Sequence, residues 1–174
     1  MVLKLKMTFL CRFYIKVINV AISDIDDLNV NLNYENKHTG KPLSGMNFIS
    51  KNILNDHIYE SVKSKKIDSI VKNEKFKIGF IKLDIEGSEL LALLGAKETI
   101  EKDRPVIFFE FFNEFTKRYN YSAKDINNFF LNLNYCFFEV VDHIHLEKIS
   151  EITIDTQAKD FLAIPNERES NTRI

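Results

Sequence analysis

The chain has 174 residues, which is enough for one domain with a hydrophobic core and too short for two of ordinary size. Its 24 basic and 25 acidic residues leave a formal net charge of -1, so no global field draws it towards nucleic acid or anionic membranes. The apolar fraction of 45% indicates a folded globule. We therefore expect a single domain over residues 1–166 and a frayed polar tail over 167–174.

The cysteines and the first 21 residues bear on the cellular compartment. Two isolated cysteines give neither a disulfide framework nor a zinc pair, which favours a reducing, cytoplasmic location. The apolar residues 1–21 are interrupted by four basic side chains, Lys4, Lys6, Arg12 and Lys16. The sequence therefore predicts neither a signal peptide nor a membrane-spanning helix.

The first half of the chain predicts two strands and little else. Residues 13–23 are almost continuously apolar and β-branched, which is typical of a strand covered on both faces. Residues 28–34 alternate apolar side chains with asparagine, which predicts a half-exposed strand. A loop follows, and residues 48–71 fit neither period. A short helix with Asp68 as its N-cap is the best local interpretation there.

The second half alternates strands with helices. We predict strands over 78–84, 106–112, 135–141 and 161–164, and helices over 86–102 and 121–134. The first helix should turn Leu90, Leu91, Leu94 and Ile100 inward. The second should begin at Ser122 as N-cap. This order predicts βαβ units and a parallel sheet, with the last two strands free to form an antiparallel hairpin.

Gly95 lies inside the first of these predicted helices. Glycine in a helix costs roughly 1 kcal/mol relative to alanine. We therefore expect another part of the chain to pack closely against Gly95.

Acidic side chains follow the ends of two predicted strands. Asp84 ends the strand at 78–84, Glu86 and Glu89 follow it, and Glu110 lies near the end of the strand at 106–112. Ligands of parallel α/β sheets bind outside the carboxyl ends of the strands, so these carboxylates are candidate site residues. Asp84 and Glu86 could equally cap helix amides, and Glu110 could pair with Arg104 or Arg118. For Glu89, in the first helical turn, a structural role is favoured.

Several of these segments together resemble the FkbM family of S-adenosylmethionine-dependent methyltransferases. The resemblance rests on Lys82-Leu-Asp84-Ile-Glu86-Gly87-Ser-Glu89 between strand and leucine-rich helix, on Gly95-Ala96, and on Arg104-Pro105 with a strand ending at Glu110. It extends to Asn19-Val-Ala21-Ile-Ser23-Asp24, to Ile67-Asp68-Ser-Ile70 and to Asp160-Phe-Leu-Ala-Ile-Pro165.

The resemblance implies an α/β fold, the Rossmann-like class I methyltransferase sheet with strand order 3-2-1-4-5-7-6. The segments quoted would supply strands three to seven. The family's first two strands and its glycine-rich cofactor turn should precede residue 13, and the twelve residues there contain no glycine. We therefore expect an N-terminally incomplete, truncated or split methyltransferase domain with an unpaired sheet edge, open to self-association or a partner chain. The strand at 13–23 could instead slide into the vacancy.

The resemblance also implies a function: transfer of a methyl group from S-adenosylmethionine to a hydroxyl of a sugar or another small molecule. Asp84, Glu86 and Glu110 would serve catalysis, and Ala21, Ser23, Asp24 and Asp84 would border the cofactor. The alternative is a non-catalytic remnant or interaction module that keeps half of the fold. No metal site is predicted, because His143 and His145 lack a third ligand nearby and suit a solvated turn better.

Overall fold

The computed structural model describes residues 15–36, 41–42, 47–142, 145–155 and 157–169. The strands are β1 (Ala21–Ile22), β2 (Asn29–Asn36), β3 (Lys41–Pro42), β4 (Phe48–Ser50), β5 (His57–Lys65), β6 (Phe80–Leu83), β7 (Val106–Phe111), β8 (Tyr135–Val140), β9 (Leu146–Ile149) and β10 (Lys159–Pro165). The helices are α1 (Ile67–Val71), α2 (Glu89–Leu94), α3 (Lys97–Asp103), α4 (Asn113–Thr116), α5 (Ala123–Asn132) and α6 (Asn166–Glu169). A 3₁₀ turn, Lys117–Tyr119, follows α4.

The first sheet has the order β1-β5-β2-β3, with β4 also paired to β2. Its β1 is shorter than predicted: residues 15–20 form no strand, and residues 13–14 lie outside the described part of the chain. Ala21 and Ile22 pair in parallel with Ser64 and Lys65 of β5. The idea that residues 13–23 slide beside the Asp84 strand is therefore wrong, because this segment joins the other sheet.

Strand β5 was not predicted, because only Ser64 among its nine residues is buried and no regular alternation of apolar side chains marks it. The short helix at 67–71 was predicted, but its cap differs. Lys66 is the N-cap of α1, and the carboxylate of Asp68 instead reaches the start of α3. Asp68 Oδ1 accepts from the amide of Thr99 at 2.8 Å and from its hydroxyl at 2.6 Å. Asp68 thus fastens α1 to α3.

The second sheet has the order β6-β7-β10-β8-β9. Strands β6 and β7 are parallel and joined through α2 and α3, as the βαβ pattern predicted. Strand β10 lies antiparallel between β7 and β8, so the two last predicted strands do pair. The unpredicted β9 extends the sheet beyond β8. Within the described residues, the outer edge of β6 has no strand neighbour.

One face of the second sheet carries the hydrophobic core. Leu83, Ile107, Phe109 and Phe111 of β6 and β7 are buried against α2, α3 and α5. From these helices the core takes Leu90, Leu93, Ile100, Ile126 and Phe130. The opposite face is more open, and Phe80 there is 57% exposed.

The predicted helix 86–102 is two helices, because the chain breaks between α2 and α3 at Gly95 and Ala96. The leucines of α2 that face the core also differ from the prediction. Leu90 and Ile100 are buried as predicted, but Leu94 is 44% exposed, and Leu93, which was not predicted to face inward, is fully buried. A Cβ added to Gly95 would lie 2.1 Å from the carbonyl oxygen of Ser23. The expected close neighbour of Gly95 is therefore the backbone that follows β1.

Gly95→Ala is expected to destabilise the fold by about 1–3 kcal/mol, because the contact is with backbone that no rotamer change can clear. Urea unfolding of the purified variant measures this loss. Gly79→Ala is the matched control, since no atom lies within 4 Å of its added Cβ, and it should change stability by less than about 0.5 kcal/mol. Equal stability of the two variants would contradict the close packing.

Helix α5 begins at Ser122 as predicted, and its cap is closed by Asp125, whose carboxylate accepts from the Ser122 amide at 2.8 Å. Residues 167–169, the first three of the predicted frayed tail, are instead helical, because they form α6 together with Asn166. Glu167 there accepts from the Arg104 guanidinium at 2.8 and 2.9 Å. Residues 170–174 lie outside the described chain, as does His143. No helix among the described residues is long and apolar enough to cross a membrane.

Candidate functional site

Strand register places three carboxylates side by side at one edge of the second sheet. Leu83, the last residue of β6, pairs with Phe109, so Asp84 follows level with Glu110. Glu110 in turn pairs with Asp160 of the antiparallel β10. Burial, with the charges of Asp84 and Asp160, raises the pKa of Glu110 above its ordinary value. Burial and then Asp84 raise the pKa of Asp160 in the same way. The strand ends therefore form an acidic edge.

Asp84 and Asp160 are the exposed members of this edge, and the Asp84 carboxylate accepts from the Lys82 ammonium at 3.0 Å. That lysine also lies 5.9 Å from the centroid of the Phe108 ring. The alternative for Glu110, an ion pair with an arginine, is not what the structure has. Arg104 pairs with Glu167, and Arg118 stacks on aromatic rings.

Glu86 is held in an unusual backbone conformation, with φ of 57° in the left-handed region. Non-glycine residues adopt this region rarely, and an observed case invites a functional explanation. Burial, followed by the charges of Glu110, Asp84 and Glu89, raises the pKa of Glu86 to about 7, while Arg118 opposes the rise. Its carboxyl group therefore exchanges a proton near neutral pH.

The turn that presents Glu86 is fixed from below by Glu89, which is 1% exposed. Its Oε1 accepts from the amides of Ile85 at 3.1 Å and Gly87 at 3.3 Å. The Tyr121 hydroxyl donates to the Gly87 carbonyl at 2.7 Å and lies 3.3 Å from Glu89 Oε2. The amide-accepting role offered as an alternative for Asp84 and Glu86 thus falls to Glu89, whose structural role was favoured.

Gly87 itself has φ of 97°, and a Cβ there would lie 2.7 Å from Phe115 backbone atoms. The turn therefore requires glycine for two reasons: its backbone angle and its close approach to the next segment.

Some of the predicted site residues line a cavity of about 350 Å³. Ala21 of β1 lines it together with Asp84 and Glu86 of the acidic turn. These two carboxylates are the charged side chains that line it among the described residues. The cavity, called the acidic cavity below, lies between the two sheets and suits a polar or cationic ligand.

The remaining predicted residues lie elsewhere. Ser23 is buried beside Gly95, its hydroxyl donates to Asp24 Oδ1 at 3.0 Å, and it lines a second cavity. Glu110 does not line the acidic cavity and lies behind Asp84 on the acidic edge. No group of three or more His, Cys, Asp or Glu within the described ranges is arranged to hold a metal ion.

Sequence reasoning missed Asp160. A signal was present, because an antiparallel strand that follows a parallel one begins at the edge where its neighbour ends. Asp160, near the start of β10, therefore had to lie beside Glu110 once β10 was placed next to β7.

The chain is a mixed α/β protein with carboxylates at the junction of strand, acidic turn and helix. Comparison with family models identifies it as a methyltransferase domain. The methyltransferase FkbM domain matches residues 7–137, three quarters of the sequence, and the chain belongs to this family. The resemblance to FkbM proteins seen in the sequence is thus confirmed. Family membership indicates a methyltransferase. Searches of curated proteins and of solved structures gave no match.

Proposed function

We propose that this protein is an S-adenosylmethionine-dependent O-methyltransferase that acts on a hydroxyl of a sugar or another small molecule. The observation that carries the proposal is the acidic cavity, in which Ala21, Asp84 and Glu86 face one space. A carboxyl group with a pKa of about 7 is suited to accept a hydroxyl proton at neutral pH.

The strand order supports a finer assignment of the fold. The order β6-β7-β10-β8, with β10 antiparallel to both neighbours, corresponds to the 4-5-7-6 half of the class I methyltransferase sheet that the resemblance implies. By the same correspondence, the outer edge of β6 is where the family's first strand would pair. We propose that this edge takes a further strand, from this chain or from a partner.

The residues around the acidic cavity suit a cationic methyl donor. When bound, S-adenosylmethionine supplies an electrophilic methyl group on a positively charged sulfur. Asp84 and Glu86 would face that charge, and Ala21 would border the cofactor across the cavity. In the family, a glycine-rich turn after the first strand receives the methionine part of the cofactor. The segments quoted for the resemblance include no such turn, and the first glycine of the sequence is Gly40.

The chain's own residues then divide the chemical work. Glu86 accepts the proton that the acceptor hydroxyl loses as its oxygen gains the methyl group. Asp84, which lines the cavity, can accept a hydrogen bond from a further hydroxyl group and so orient the acceptor, and Glu110 lies next to Asp84 on the acidic edge. Lys82 donates a hydrogen bond to Asp84 and so holds the position of that carboxylate.

Titration calorimetry with S-adenosylmethionine tests the proposal. We expect saturable binding that the double variant Asp84→Asn, Glu86→Gln weakens, because both cavity-lining charges are removed. Glu101→Gln, on the exposed side of α3, is the control and should bind as the native chain does. No detectable binding at millimolar cofactor would sink the enzyme proposal and leave the non-catalytic module.

A further inference from the structure

A second cavity, of about 490 Å³, lies between β4 and the 3₁₀ turn Lys117–Tyr119. Its charge is opposite to that of the acidic cavity. Two charged residues of the described chain line this cavity, Lys51 and Arg118, and both are basic. Much of the remaining lining is apolar or aromatic, from Phe48, Ile49, Leu54, Leu91 and Tyr119. We call it the basic cavity.

Arg118 is held at the basic cavity by two aromatic rings. Its guanidinium carbon lies 4.4 Å from the centroid of the Phe48 ring and 4.7 Å from that of Phe115. Cation–π contact with two rings restricts the position of the guanidinium, whose N–H groups can still donate hydrogen bonds. Among the described residues, this guanidinium has neither a hydrogen bond nor an ion pair. It is therefore a positioned donor to which the described residues supply no acceptor.

The basic and acidic cavities share a wall. Ile49 lines both of them, and the hydroxyl of Tyr119 donates to its carbonyl oxygen at 3.0 Å. The charge of Arg118 also acts on Glu86, where it offsets part of the rise in the pKa of that carboxyl group. A ligand bound in the basic cavity would thus be separated from the acidic cavity by the wall that Ile49 forms.

We propose that the basic cavity binds a small organic anion, a carboxylate or a phosphate monoester on an apolar body, and that this anion is part of the methyl acceptor. An apolar lining with two cations and, in the described chain, no carboxylate suits such a ligand. The bidentate fork of arginine matches both anions. The acceptor role rests on the proposed methyltransferase function, whereas binding of the anion does not.

Calorimetry with three matched probes tests the proposal on the native chain: benzoate, phenyl phosphate and the neutral benzyl alcohol. We expect at least one anion to bind about tenfold or more tightly than benzyl alcohol, because a charge-assisted pair to Arg118 is lost with the alcohol. Preference for benzoate identifies a carboxylate ligand, and preference for phenyl phosphate a phosphate monoester. Equal binding of all three probes would overturn the proposal.

Variants place the anion at Arg118. Arg118→Met keeps a flexible side chain that contacts aromatic rings but removes the charge, so it should weaken binding of the preferred anion about tenfold or more. Lys117→Met removes a neighbouring exposed charge that does not line the cavity and should bind as the native chain does. A folded Arg118→Met chain with native affinity would refute the assignment.

Amide chemical shifts give a readout that needs no variant. The preferred anion should shift the amide signals of Asn52 and Tyr119, which line the basic cavity. Shifts confined to the opposite edge at β8 and β9 would overturn the assignment even if Arg118→Met failed to fold. The probes contain no methyl donor, so a negative result here leaves S-adenosylmethionine binding intact, and a failure of that binding leaves the anion site intact.

Discussion

Glu86→Gln is expected to lower the rate of methyl transfer by about 10²–10⁴-fold, the usual contribution of a positioned proton acceptor. Glutamine keeps the size of the side chain but cannot take up the hydroxyl proton. The measurement is transfer of label from methyl-tritiated S-adenosylmethionine to a fixed panel of monosaccharides and hydroxylated organic acids. Glu101→Gln, which loses only an exposed pairing with Lys97, is the control and should keep the native rate.

The pH profile separates proton acceptance from a merely structural effect. Because the pKa of Glu86 is raised to about 7, the native rate should rise with pH through that value as the carboxylate forms. The Glu86→Gln chain should lack this rise, whatever its residual rate. A variant that retained both the native rate and the native profile would remove Glu86 from the mechanism.

The same shift predicts a dependence of stability on pH. The folded chain holds a proton on Glu86 up to a pH of about 7, whereas the unfolded chain releases it near 4.5. Between these values the folded state binds more protons, so the free energy of unfolding falls as the pH rises. Urea unfolding across this interval should show a smaller fall for Glu86→Gln. The part of the fall that Glu89, Glu110 and Asp160 cause has the same sign and should remain.

The sequence predicted those elements whose local signals agree with their packing. Helix α5 has a Ser122–Asp125 cap and an apolar face that buries Ile126 and Phe130. The parallel pair β6 and β7 was predicted from two apolar runs that flank an amphipathic helix. From this pairing, the neighbouring positions of Asp84 and Glu110 follow by register alone. Much of the acidic edge was therefore predictable.

Other features depend on partners distant in sequence. The alternation of residues 28–34 predicts that the asparagines face water, yet Asn33 is fully buried. Its amide donates to the carbonyl oxygens of Asn31 and Phe48 and to the Ser50 hydroxyl. These hydrogen bonds take the place of those that the amide would make with water, and no local sequence pattern predicts them. In the same way, Gly95 predicted a close neighbour but could not identify it as the Ser23 backbone.

Glu89→Ala is expected to lower the free energy of unfolding by roughly 3 kcal/mol. Alanine leaves the amides of Ile85 and Gly87 without their buried acceptor. The turn cannot relax around them, because Gly87 already lies against the Phe115 backbone. Urea unfolding gives the loss, with Glu101→Ala as an exposed control that should stay within about 0.5 kcal/mol.

Two further variants show whether the carboxyl group acts through the turn. Glu89→Gln keeps one acceptor oxygen and should lose less than half as much stability as Glu89→Ala. Tyr121→Phe removes the hydroxyl that donates to Gly87, so its effect should be non-additive with that of Glu89→Ala. Additive losses would mean that the two residues act independently. Together with Glu86→Gln, these variants separate two glutamates that are three residues apart: loss of Glu89 unfolds the turn, whereas loss of Glu86 leaves the turn folded but without its proton acceptor.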